Sequence, residues 1–152
     1  MRTIKRNIVA AMIVSNDGKI FQCMKRPNQG GVYPDLWHMP GGGVEEGETQ
    51  KQALIREIKE ETGINISTCK LVLIDDAGRG VSEKTLEDTG EKVLCEMEFA
   101  VYRVAIEEPA EKIEVALGNE LGKYVWTPAS ELKNKKLTPP SEELFRRLGY
   151  LK

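Results

Sequence analysis

Apolar residues in this chain fall into short β-branched runs broken by turn residues, with a single well-marked segment of helical period among them. Ile8 to Val14 is a continuous apolar run of strand length. Asn16-Asp17-Gly18 behind it is a hairpin signal, so Lys19 to Met24 is expected to pair back as a second strand. Residues 26–43 carry five Gly, three Pro and no helical period, which predicts a long surface loop. Val32, Tyr33, Leu36, Trp37 and Met39 give that loop apolar anchors and favour its being ordered. Thr49 to Thr62 is the clearest helix: Thr49 and Gln52 match a capping box, and Gly63 stands where helices commonly stop. Leu71 to Ile74 and Lys92 to Ile106 read as strands, with the polar stretch 75–91 as a protruding loop or hairpin. Lys123 to Trp126 is a last short strand. Thr127-Pro128 opens a short helix over Ala129 to Leu132, with Pro at the first position. Ser141 to Leu148 closes the chain as a helix ended by Gly149. These elements predict one α+β domain spanning residues 1–152, or a mixed αβα sandwich.

Composition narrows the class. With 152 residues, 40% apolar and 30% charged, the chain has the makings of a single globular core. A net charge of −2 leaves no basic excess to grip a phosphate backbone, so no nucleic-acid partner is expected. Small phosphorylated ligands stay open, because a few placed cations or a bound metal can hold them. Cys23, Cys69 and Cys95 are widely spaced and form no C-x-x-C, which predicts reduced thiols, two or three of them on core strands, and a cytoplasmic location. The basic start Met1 to Arg6 precedes an apolar run too short for a membrane span, so no membrane partner is expected.

The chemistry is concentrated in 42–64. On a helical wheel with Leu54 at the origin, Ile58 and Ile55 lie at about 40° and 100° and form an apolar stripe. Glu60, Glu57 and Glu61 fall at about 240°, 300° and 340°, so three carboxylates share one arc. Like charges at this spacing weaken a helix by a few tenths of a kcal/mol per pair, and something should offset that. A hard divalent cation with oxygen ligands is the natural candidate. A solvated acidic face balanced by Arg56 and Lys59 would explain an isolated E-x-x-E-E. Here, however, Pro40-Gly41-Gly42-Gly43 brings a backbone able to approach a ligand closely just ahead of the helix.

The residues Gly42-x5-Glu48-x7-Arg56-Glu57-Ile58-x-Glu60-Glu61-x-Gly63-Ile64 match the Nudix box at every defined position, and the chain resembles the MutT-like Nudix hydrolases. That resemblance implies an αβα sandwich with a mixed sheet, the box as loop–helix–loop, and Mg²⁺ (or Mn²⁺) as cofactor. It implies hydrolysis of a phosphoanhydride in a nucleoside diphosphate linked to another group. By box position, Glu57, Glu60 and Glu61 are the metal carboxylates, with the Gly42 carbonyl as a further ligand. Glu57 can serve instead as general base, while Arg56 orients the carboxylates and Glu48 supports Arg56. The wheel adds a ranking: Glu57 and Glu61 border the stripe and should matter more than Glu60.

Weaker likenesses extend outward from the box. Trp37-His38-Met39-Pro40-Gly41-Gly42 resembles the family's approach to it, with Gly41 a backbone contact for substrate. Glu120, ahead of Trp126, resembles an additional acidic metal ligand, and Lys25 and Arg26 resemble phosphate contacts. Among the aromatics, Phe99, Tyr102, Trp37, Tyr33 and Trp126 are candidates for stacking on a base, though most suit the core better. Arg79 is a candidate substrate contact by charge and position. His38, the single histidine, is not counted as catalytic.

The run Val32-Tyr33-Pro34 to Glu48, Asp75-Asp76 and the late Asn-Glu…Trp segment are similar to stand-alone nucleoside triphosphatases. A (deoxy)nucleoside triphosphate cleaved to monophosphate and diphosphate is therefore the expected reaction. A nucleotide sugar, ADP-ribose or a dinucleoside polyphosphate is the alternative. A nucleotide-sensing module would be expected to lose box carboxylates, all of which are present. Oligomeric state is open between monomer and homodimer.

Overall fold

The structure is a computed structural model that describes residues 1–27 and 35–152. Strand β1 (Arg2–Val14) is its spine. It begins at Arg2 rather than at Ile8 because it pairs in parallel with β5 (Lys92–Ala105), from Arg2↔Val93 to Val14↔Ala105. A neighbouring strand's hydrogen bonds recruit polar residues that hydropathy alone assigns to a loop. At its far end β1 turns through Asn16-Asp17-Gly18, where Gly18 takes φ +80°, into β2 (Lys19–Lys25). The outermost strands are β4 (Leu71–Thr85), paired with β5, and β6 (Leu121–Pro128), paired with β2. The order is β4-β5-β1-β2-β6.

The hairpin between β1 and β2 pairs at Val14↔Ile20, and then the two strands part. Residues 38–44 wedge into the opening. His38 exchanges backbone hydrogen bonds with Cys23 on β2 at 2.8 and 2.9 Å. Ala11 N–H donates to the Pro40 carbonyl at 3.0 Å, and Gly41–Gly43, the short strand β3, pairs antiparallel with Ala10 to Ile8. Gly41–Gly43 and the bridging residues Trp37 and His38 of the expected 26–43 loop are thus sheet. The anchors Val32 and Tyr33 lie outside the described residues.

Helix α1 (Gln50–Thr62) forms as expected, with the Thr49–Gln52 capping box closed on both sides and Gly63 in the left-handed region at φ +75°. It buries Ala53, Leu54 and Ile58 on one face of the sheet, against Val9, Ala11, Ile13 and Phe21. Helix α2 (Pro139–Arg147) and a 3-10 helix over Ala129–Asn134 bury Leu132, Leu144 and Phe145 on the other face, against Met12, Ile20 and Val101. Alternate residues of β1 serve opposite cores, as a central strand requires. The result is the αβα sandwich with a mixed sheet.

Several boundaries differ from expectation. Of the loop and hairpin expected over 75–91 the hairpin forms: β4 continues to Thr85 and turns through 86–91 into β5. Its polar residues tolerate strand geometry because β4 is an edge strand with solvent on one side. Pro128 stands at the cap of the 3-10 helix instead of its first position, and α2 starts earlier, with the Thr138 side chain accepting from Ser141 N–H. Cys23 and Cys95 are buried on strands, while Cys69 is half-buried in the turn after α1; all three are free thiols. A second 3-10 turn covers Ala110–Lys112. Among the described residues no helix is long and apolar enough to cross a membrane.

The capping box is the local feature most directly tied to α1. Thr49→Ala should cost about 1 kcal/mol. Urea denaturation should show this as a lower midpoint with an unchanged slope.

Candidate active site

The wedge sets the carboxylates of α1 directly against the glycines. A side-chain carbon added at Gly42 would fall on the Glu57 carboxylate, so only glycine lets Glu57 lie flat on the backbone there. Gly41 is equally constrained by the Val9 carbonyl of β1, and its N–H donates to Glu61 Oε2 at 3.3 Å. Two residues of the helix are therefore held against two residues of the wedge.

Arg56 ties these parts together. Its Nε donates to Glu48 Oε2 at 2.7 Å and its Nη2 to Glu48 Oε1 at 2.9 Å, a side-on pair. Nη2 also reaches the Gly43 carbonyl at 3.1 Å, while Nη1 donates to Glu57 Oε1 at 2.9 Å and to Glu60 Oε2 at 3.4 Å. Glu48 is fixed in turn by Glu45 N–H at 2.9 Å. These bonds, the Arg56 pair first, bring the Glu48 carboxyl down to about 2, and Arg56 is raised above its ordinary value by the same pairing.

The carboxylates differ in exposure. The Glu57 side chain is 16% exposed and that of Glu60 is 60% exposed. Glu61 is half-buried. Burial, then the charges of Glu57 and Glu120, push its carboxyl up to about 8 against the Gly41 hydrogen bond and Lys25. Glu57 is also raised, by burial first, with Arg56 opposing and Glu60 and Glu120 adding to it. Glu120, exposed just before β6, is therefore within electrostatic reach of both, held there by Arg26 N–H donating to its carbonyl at 2.9 Å. Lys25, at the end of β2, faces Glu61, whereas the Arg26 side chain turns to the Leu121 carbonyl at 3.2 Å.

Among the described residues no three His, Cys, Asp or Glu side chains close tightly enough to cage a cation. The reason is visible in the contacts: Glu57 and Glu60 turn onto Arg56, and Glu61 turns onto Gly41. The donor set nonetheless suits a hard divalent ion, being all oxygen. Burial first, and then neighbouring carboxylates, disfavour the charged forms of Glu61 and Glu57, and a cation bound there would favour them.

Beside Gly41 opens a pocket of about 330 Å³ between the sheet and α2. Ile8, Met97 and Phe99 supply apolar wall, and Lys25, Arg79, Asp75 and Arg147 supply charge. Phe99 is the one stacking candidate named above that lines it among the described residues. Tyr102 faces α1, its hydroxyl donating to Gln50 Oε1 at 2.7 Å, and Trp37 and Trp126 pack on the two cores. His38 also borders the pocket. Its Nδ1 donates to the Met39 carbonyl at 2.9 Å, and burial depresses its pKa, so it is a neutral packed residue. Arg147 carried no sequence signal, since it meets Asp75 across a separation that only the fold closes.

The NUDIX domain family model matches residues 5–148. A nucleoside triphosphatase of Escherichia coli, NudI, is 29% identical over 151 residues, covering 97% of this chain and all of that protein. The MutT protein of Methanosarcina mazei aligns with TM-score 0.67 at 24% identity, over 97% of this chain and 94% of its own. The dihydroneopterin triphosphate pyrophosphohydrolase of E. coli aligns with TM-score 0.63 at 20% identity, over 93% and 92%. At these identities the two structures speak for the fold.

The state of Glu61 is measurable in the metal-free protein. Folded, it holds its proton up to about pH 8; unfolded, it releases it near 4.5. The folded chain therefore binds the extra proton between those values, and Glu61's contribution to stability is lost as pH rises through that window. In EDTA, Glu61→Gln should gain on the wild type in melting temperature from pH 5 to pH 8. Glu48 has the opposite sign, and its contribution is lost only as pH falls toward 2.

Proposed function

The chain belongs to the NUDIX family of hydrolases, and we propose that it converts a (deoxy)nucleoside triphosphate to monophosphate and diphosphate with Mg²⁺ (or Mn²⁺) as cofactor. The observation that carries this reading is the pair of half-buried carboxylates, Glu57 and Glu61, pressed on Gly42 and Gly41, of which Gly41 also lines the pocket. A polyanion can be drawn to such a site only through a cation, and the donors fit a hard divalent one.

In this reading Glu57, Glu60, Glu61, Glu120 and the Gly42 carbonyl would hold the metal, with Glu57 able to act as general base instead of ligand. When bound, the ion would supply the positive counter-charge for the diphosphate and acidify the attacking water. Arg56 keeps the Glu57 carboxylate aimed in either role, while Glu48 keeps Arg56 in place. Lys25, at the end of β2, receives the outer phosphates, with Gly41 allowing close backbone approach; Arg26, just beyond the strand, would have to leave the Leu121 carbonyl to join it. The triphosphate assignment is supported by the likeness to NudI along nearly the whole chain. It is also supported by the pocket's size, at the low end for small-molecule sites, which suits one base with its sugar.

A product screen with Mg²⁺ and coupled pyrophosphatase should show diphosphate released from nucleoside triphosphates. Activity confined to nucleotide sugars or ADP-ribose would replace the substrate, and silence on every compound would refute the enzyme reading. Glu57→Gln should lower kcat by about 10²–10⁴-fold. Glu48→Gln, acting through Arg56, should cost about 10–100-fold. Glu60→Gln should be milder than Glu61→Gln, since its side chain is 60% exposed. The reverse order would overturn the ranking of the carboxylates.

A further inference from the structure

Two carboxylates line the pocket and belong to no part of the reaction described so far: Glu143, exposed on α2, and Asp75. Asp75 lies on β4, where regular alternation would aim it toward α1: Leu71 packs on the α1 core and Ile74 on the α2 core. Two successive register shifts prevent this. Leu73 pairs with Tyr102, Asp75 with Val101 and Gly78 with Phe99, so β4 carries extra residues on both sides of Asp75. β-Bulges re-aim side chains, and here they turn a charged residue onto the α2 face opposite Val101, into the pocket walled by Ile8, Met97 and Phe99.

Its orientation there is fixed. Arg147 of α2 donates from Nε to Oδ1 at 3.0 Å and from Nη2 to Oδ2 at 2.8 Å, leaving the Asp75 side chain 10% exposed. A carboxylate oxygen has acceptor capacity beyond one such bond, so the held Asp75 can still accept from a ligand. The same irregular stretch shapes the wall opposite. Phe99 lies against Gly78 and Gly80, where an added side-chain carbon would come within 3.1 and 3.2 Å of it. The pocket thus offers a flat aromatic wall and a fixed acceptor at its edge.

Resting on the triphosphate reading above, we propose that Asp75 selects the base of the substrate by accepting a hydrogen bond from its exocyclic amino group. A carboxylate suits an amino hydrogen, as it does on cytosine N4. Thymine and uracil present a single ring N–H between two carbonyl oxygens, which a carboxylate repels. Arg147 is the positioning residue that keeps Asp75 aimed.

The test compares kcat/KM for dCTP, dGTP and dATP with that for dTTP and dUTP, in the wild type and in Asp75→Asn. The wild type should favour the amino-bearing bases. In Asp75→Asn the preference should shrink by about 10–100-fold, through KM more than kcat. Should Asp75→Asn not fold, the wild type is compared on each amino-bearing triphosphate and its counterpart without that group, dITP for dGTP, with the same loss expected. A wild-type preference for dTTP or dUTP, an unchanged ranking in Asp75→Asn, or equal turnover of dGTP and dITP with neither folded variant nor analogue shifting it, would overturn the assignment while leaving the hydrolase reading intact. Absence of hydrolysis of every triphosphate would overturn both.

Discussion

The contact on which the site depends is the Arg56 guanidinium. It joins the loop ahead of the helix through Glu48, the wedge through the Gly43 carbonyl, and the helix's own carboxylate through Glu57. Three segments distant in role are thereby held by one planar, permanently charged group, whose fork matches carboxylate geometry in a way lysine's ammonium does not. Without it Glu57 and Glu60 would lose their shared counter-charge, and Glu48 would keep only the Glu45 N–H. Arg56 satisfies these charges only partly. Glu61 lies beyond its reach and keeps a carboxyl raised to about 8, so the arrangement is organised yet electrostatically incomplete.

The sheet makes that arrangement possible. Because β1 and β2 separate beyond Val14↔Ile20, residues 38–44 can enter between them and carry three glycines to the open end of the sheet. On one side α1 lays its carboxylates on those glycines. On the other, α2 and the bulged part of β4 enclose the pocket. The acidic groups therefore lie on the α1 side of the sheet and the cavity on the α2 side. Gly41 sits at the junction, touching Glu61 and lining the pocket.

What was legible in the sequence was what short-range geometry determines. Thr49, Gln52 and Gly63 announce the ends of α1 within a few residues, and the wheel places Glu57 nearer the stripe than Glu60, matching side-chain exposures of 16% and 60%. The box glycines were readable as close-approach positions for the same reason. Features created by pairing across the fold were not readable. The start of β1 at Arg2 depends on β5, and the extension of β4 to Thr85 depends on the same neighbour. Asp75 opened a stretch that read as loop or hairpin, since nothing local reveals a bulge, and Arg147 drew no reading. Their meeting is a tertiary fact.

If Glu61 and its neighbours form a cation site, binding must expel the proton that burial retains. Titrating the protein with Mg²⁺ at pH 7 by calorimetry, in two buffers of unlike ionisation enthalpy, reports that proton count. The structure leads to release of close to one proton per cation, falling away in Glu61→Gln. Binding without proton release, or no binding of Mg²⁺ with or without a triphosphate present, would contradict a metal-dependent site at these carboxylates.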